Sequence, residues 1–158
     1  QYDKINQKFV REYKLNGTME ERKRARLERT LKQIRDWAGP LTHAQEERIA
    51  ALNNAIPNAD HLRHQERMRR QKEFMALLGQ RQNKTAFAPQ VRTWLVDWDK
   101  GRSAEFEKLQ TEIYDKRVSL YLEVDRMLTP QQREHMLRKL QGYIDDLRLL
   151  AARPSGQK

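Results

Sequence analysis

Residues 128–151 read Leu-Thr-Pro-Gln-Gln-Arg-Glu-His-Met-Leu-Arg-Lys-Leu-Gln-Gly-Tyr-Ile-Asp-Asp-Leu-Arg-Leu-Leu-Ala, and two features of this stretch decide the fold class. Thr129 followed three residues later by Gln132 has capping-box spacing, in which the hydroxyl takes a free backbone N–H of the first turn and the longer side chain reaches back. Pro130 falls at the first helical position, where its missing N–H costs nothing. Met136, Leu140, Ile144, Leu147 and Ala151 then recur at spacings of four, four, three and four, the period of a helix with one apolar face. The stretch predicts a helix that buries this stripe. A disordered tail is expected over residues 153–158, from Arg153-Pro154 onward.

The same punctuation recurs toward the N-terminus. Leu41-Thr42-His43-Ala44-Gln45 repeats the pattern of Leu128, Thr129 and Gln132, with Ile49, Leu52 and Ile56 as its stripe and Pro57-Asn58 as its end. Capping chemistry explains the spacing in both copies: Thr caps, Gln closes the box, and Leu is the hydrophobic staple before them. Thr18 and Glu21 open a helix carrying Leu27, Leu31, Ile34 and Ala38, which Gly39-Pro40 ends. Residues 2–14 form a short helix broken at Asn16-Gly17. From about Asn58 to Gly79 the pattern is helical, polar from His61 to Lys72 and apolar at Phe74, Leu77 and Leu78. Gln80 to Pro89 reads as a mobile loop. From Gln90 to Met127, Val91, Leu95 and Trp98 share one face, and a weak point at Lys100-Gly101 precedes Phe106, Leu109, Ile113, Leu120, Val124 and Leu128. Tyr114, Val118 and Tyr121 broaden that face, so more than one packing neighbour is expected. The expectation is an all-α protein of five or six helices. A single domain over residues 1–152 would form a helical bundle or extended helical hairpin.

Composition agrees. The 158 residues are 37% hydrophobic and 34% charged, with only 6 Gly and 5 Pro, too few for a protein of many tight turns. No apolar run approaches membrane-spanning length. Without Cys there is no disulfide, thiolate metal site or thiol nucleophile. The net charge of +10 speaks about partners rather than fold, and leaves nucleic acid, an anionic membrane surface and acidic protein clients open. The sequence starts at Gln1 without an initiator Met or signal peptide, which suggests a mature or excised piece of something longer.

Few residues carry chemistry. His61 and His64 stand three apart beside Asp60, but Arg63, Arg67, Arg69 and Arg70 surround them, and clustered positive charge opposes a cation. His43 and His135 have no local nucleophile or orienting acid. Glu46-Glu47, Asp97/Asp99 and Asp145-Asp146 do not converge as a catalytic dyad must; a salt bridge from Asp145 or Asp146 to a neighbouring helix is the ordinary reading. There is no Gly-rich phosphate loop and no nucleophile elbow. No catalytic residue, cofactor or metal is assigned, and an enzyme is not expected. Trp94 and Trp98, four apart, read as a core ridge, with an exposed platform as the alternative.

The basic residues fall into ridges. Arg22, Arg26 and Arg29 recur at i, i+4 and i+7, and Arg63, Arg67 and Arg70 repeat that spacing. Neighbouring Glu21, Glu28, Glu66 and Glu73 make a solvated, charge-balanced face the plain reading. The candidate binding ridge is Arg63, Arg67, Arg70 and Phe74, where positive charge runs directly into apolar residues.

Two resemblances bear on function. The paired Leu41-Thr42-x-x-Gln45 and Leu128-Thr129-x-x-Gln132 segments resemble the LTxxQ motifs of the periplasmic Spy and CpxP proteins, small basic helical proteins that form cradle-shaped dimers. They include an ATP-independent chaperone and an envelope-stress regulator. The order Tyr2…Asn6…Phe9, Glu21-Arg22-Lys23-Arg24, Trp37-Ala38-Gly39-Pro40-Leu41-Thr42-x-x-Gln45, Arg67-x-Arg69-Arg70-Gln71 and Leu140-Gln141-Gly142-Tyr143-Ile144-Asp145-Asp146-Leu147 is similar to the C-terminal portion of an uncharacterised family of proteobacterial lipoproteins. That likeness implies a periplasmic protein, or a lipoprotein facing the periplasm through a lipid anchor upstream of this chain. The resulting expectation is a non-enzymatic, chaperone-like envelope protein that binds other envelope proteins or unfolded clients, with a homodimer open. The alternative is a basic helical module for nucleic acid or another polyanion, disfavoured by the acids interrupting both ridges and by the envelope resemblance.

Overall fold

A computed structural model describes residues 2–152, and every regular element among them is a helix. They are α1 (Tyr2–Glu12), α2 (Met19–Ala38), α3 (His43–Asn54), α4 (Asp60–Gly79), α5 (Lys84–Val96), α6 (Ala104–Met127) and α7 (Pro130–Ala152). The all-α expectation holds, but the count is seven rather than five or six. The tail expected over 153–158 lies outside the described residues.

The extra helix comes from the stretch read as a loop and a weak point. Asn83 accepts a hydrogen bond from the Ala86 N–H (3.2 Å) and caps α5, so only residues 80–83 connect α4 to α5. Pro89 lies inside α5, where the fixed φ suits a helix and one backbone bond is forgone. The weak point at Lys100-Gly101 is a complete break. Gly101 takes φ +84°, a conformation that suits a residue without Cβ, and Ser103 Oγ accepts from the Phe106 N–H (3.1 Å) to start α6.

The chain divides into two compact units whose boundaries fall within α2 and α6. One comprises residues 2–25 and 56–115 and buries Leu15, Ile56, Ala59, Phe106 and Ile113. There α1 lies on the polar half of α4. Asn6 and Gln71 exchange hydrogen bonds of 2.7 and 3.0 Å, Arg67 Nε donates to Asn6 Oδ1 (3.2 Å), and Phe9 stacks on His64. The polar composition of His61 to Lys72 is thus a hydrogen-bonding surface for another helix.

Among the described residues the other unit comprises 26–55 and 116–152 and buries Ile34, Ala38, Ile49, Leu120, Val124 and Leu128. Three expected core assignments need correction. Leu140, Ile144 and Leu147 of α7 remain exposed, because the side of α7 that packs is led by Gln132, Lys139 and Tyr143, which meet Gln45, Asp36 and Trp37, and the stripe lies round the helix from it. Tyr114, Val118 and Tyr121 of α6 are also exposed. Trp94 and Trp98 do not form one ridge, since α5 ends at Val96 and Trp98 falls in the turn beyond it.

Candidate functional site

The residues singled out by sequence form two separate constellations. On α4, the ridge arginines are held by neighbours. Arg63 Nη1 lies 3.6 Å from buried Asp60. Arg67 donates to Asn6 and sits over the Phe9 ring, 5.5 Å from its centroid. Arg70 stacks on Trp94 at 3.7 Å, donates to the Trp94 carbonyl (2.8 Å) and contacts Glu73 (3.4 Å). Phe74 is half-buried, its ring 5.0 Å from that of Trp94. The ridge therefore joins α4 to α1 and α5.

Arg69, beside that ridge, is clamped between Glu66 (2.9 Å) and Glu73 (2.5 Å). Its hydrogen bond to Glu66, aided by the charges of both carboxylates, raises its pKa above the ordinary arginine value. A groove of about 490 Å³ opens here, lined by Arg69, Arg70, Glu73, Trp94, Asp97 and Gly101 among others. Trp94 Nε1 donates to Glu73 across it (3.2 Å). The lining mixes both charges around an indole, and the charges of Arg69, Arg70 and Glu73 are paired with one another.

Just past this groove the structure departs from the expected core ridge. Leu95, Val96 and Trp98 are between 59% and 67% exposed at the end of α5, and Arg102 stacks on Trp98 at 3.9 Å. Trp98 is thus exposed and Trp94 half-buried, because α5 ends at Val96, ahead of the weak point at Lys100-Gly101.

The histidines are placed among cations and rings. Arg22 Nη1 donates to His61 Nε2 (2.7 Å), and His64 stacks on Phe9 at 5.6 Å. Among the described residues no group of three or more His, Asp or Glu side chains converges. Asp145 is held within its own helix, accepting from Gln141 (2.8 Å) and Arg148 (3.5 Å), and not by a neighbouring helix as expected.

In the second constellation the two repeated motifs meet. Both capping boxes close: Thr42 Oγ1 accepts from the Gln45 N–H (3.3 Å) while Gln45 Oε1 accepts from the Thr42 N–H (2.9 Å). Thr129 and Gln132 do the same at 3.2 and 3.0 Å. Gln45 Nε2 donates to Gln132 Oε1 (2.9 Å) and to the Met127 carbonyl (2.8 Å). Gln132 Nε2 donates to Gln45 Oε1 (3.0 Å) and to the Pro40 carbonyl (2.7 Å). Leu128 is buried and Leu41 half-buried beside this cluster. The motifs form a structural clasp, with a groove of about 360 Å³ over it lined by Gly39, Pro40, Thr129, His135 and Arg138 among others.

A family model, DUF6279, described as a family of unknown function, matches residues 3–107. The chain belongs to this family. No curated protein and no solved structure matches it. The DUF6279 match takes in the first capping motif, the α4 ridge and its groove, and stops short of Gln132 and α7.

Proposed function

We propose that this DUF6279 protein is a non-enzymatic protein of the cell envelope that binds other proteins, unfolded clients among them. The observation that carries the reading is the exposed Leu95, Val96 and Trp98 segment with Arg102 on the indole face. Large apolar side chains held in water beside a cation supply both parts of promiscuous client binding. The net charge of +10 speeds encounter with acidic chains, and apolar contact slows release. The α4 arginines serve as the scaffold behind this surface, because Arg70 positions Trp94 and Arg67 anchors α1.

Suppression of aggregation of reduced α-lactalbumin, an acidic client, tests the reading. The chain should lower light scattering, and Leu95→Ser with Trp98→Ser should abolish the effect while helical circular dichroism stays unchanged. Unaltered suppression by that variant, or none by the parent, refutes it. A DNA titration across salt supplies the competing outcome: tight, sequence-selective binding would favour the polyanion module. The envelope placement rests on the lipoprotein resemblance. Palmitate labelling and fractionation of the full-length gene product test it.

A further inference from the structure

The exposed half of α7 carries a heptad. Leu137, Leu140, Ile144, Leu147 and Ala151 alternate spacings of three and four, Met136, Tyr143 and Leu150 border them on one side, and Glu134, Gln141 and Arg148 on the other. At 100° per residue the apolar eight fill an unbroken arc of about 140°. Leu137, Leu140, Tyr143, Ile144, Leu147 and Leu150 are each between 43% and 65% exposed. Together they present on the order of 600 Å², at the top of what monomers ordinarily show as one patch. Tyr143 contacts Trp37 (5.7 Å between rings) and still leaves half its surface in water.

We propose that a second copy of this chain covers this face, through antiparallel pairing of α7 with itself about a two-fold axis. The flanking charges choose both the occupant and its direction. In an antiparallel pair with Leu140 against the partner's Ile144 and Leu137 against the partner's Leu147, residues on the same flank face one another. Glu134 then meets the partner's Arg148, Arg148 meets the partner's Glu134, and Gln141 meets the partner's Gln141 at the axis. The other flank sets Met136 against the partner's Leu150 and Tyr143 against the partner's Tyr143, apolar throughout. A two-fold contact requires such self-complementarity. Parallel pairing would instead set Arg148 against the partner's Tyr143 and Gln141 against the partner's Met136, with no opposite charges matched. Within one chain Glu134 holds Arg138 (2.5 Å) and Arg148 holds Asp145 (3.5 Å), all well exposed, so both can exchange partners. The pair would bury about 1,200 Å², the lower end of stable interfaces, so dimerisation in the micromolar range is expected.

Sedimentation across the micromolar range tests this. The mass of the 158-residue chain should rise from one copy to two, and Ile144→Glu with Leu147→Glu should hold it at one copy with its helical circular dichroism retained. If that variant loses helix, a charge series on exposed positions decides. Glu134→Arg and Arg148→Glu should each weaken the dimer about three- to tenfold, and the two together should restore it. A parent that stays at one copy overturns the proposal. So does a dimer that survives both glutamates, or a double charge exchange no better than its singles.

Discussion

The side-chain amides of Gln45 and Gln132 hydrogen-bond to each other in both directions, at 2.9 and 3.0 Å, across 87 residues of sequence. Each oxygen also closes its own capping box, and each nitrogen also donates to a carbonyl just ahead of the opposite motif. Every donor and acceptor of both buried amides is used. This explains a detail of the sequence. A capping box closes with Glu or Gln alike, and the box at Thr18, exposed, uses Glu21. The two boxes that face each other use Gln, because only an amide can donate across.

Gln132→Glu should therefore keep its cap and lose the clasp. The Pro40 carbonyl loses its donor, Gln45 Oε1 keeps only the Thr42 N–H, and a carboxylate oxygen is set against it; a buried polar group left unsatisfied costs about 1–3 kcal/mol, and more where it is charged. A loss of about 2–4 kcal/mol in urea unfolding is expected. Glu21→Gln, which meets no partner amide, should change stability by less than about 0.5 kcal/mol. Equal effects for the two would show that the cross-motif bonds contribute nothing.

Removing a cap alone is a milder change. Thr42→Ala and Thr129→Ala each delete a hydroxyl that accepts one first-turn N–H, so each should cost about 0.5–2 kcal/mol. Thermal melts of the two variants provide the measurement, and a serine at either position should recover most of the loss.

The helices were legible wherever a local signal marks an end. The Thr18, Thr42 and Thr129 boxes all close at the predicted residues, and Gly39, at φ +81°, ends α2. The Asn83 cap is masked by Pro89, which reads as a loop residue because a proline inside a helix forgoes a backbone bond and crowds the preceding turn. Burial was harder to read than periodicity. The stripe of α7 has the spacing of a core face, yet spacing cannot say which side of a helix its neighbours reach. The α4 ridge has the spacing of a solvated face, yet its arginines are consumed by Asn6, Glu73 and Trp94, all distant in sequence or on the same turn.

Arg70 shows why the ridge needs guanidinium. One planar group covers the Trp94 ring, donates to the Trp94 carbonyl and reaches Glu73, a combination that an ammonium cannot reproduce. Arg70→Lys should destabilise the α4–α5 packing by about 1–2 kcal/mol. Trp94 should become more accessible, read as faster acrylamide quenching of tryptophan fluorescence. Quenching and melting unchanged from the parent would mean that the stack is incidental.

Glu123 supplies a pH dependence. Its carboxylate accepts from Arg48 at 3.0 and 3.2 Å and from Arg126 at 3.3 Å. The hydrogen bond from Arg48, with that from Arg126 and both charges, holds its pKa below the ordinary glutamate value. The unfolded chain therefore binds this proton more tightly than the folded chain does. The stabilisation is fully present above the unfolded value, about 4.3, and is lost as pH falls through the lower folded value. Melting temperatures of the parent and Glu123→Gln should thus differ at neutral pH and converge in acid. The gap should also narrow in high salt, because both partners are open to solvent. A gap that is constant from neutral to strongly acidic pH would assign the effect of the substitution to packing, since only an ionised carboxylate can lose its advantage by taking up a proton.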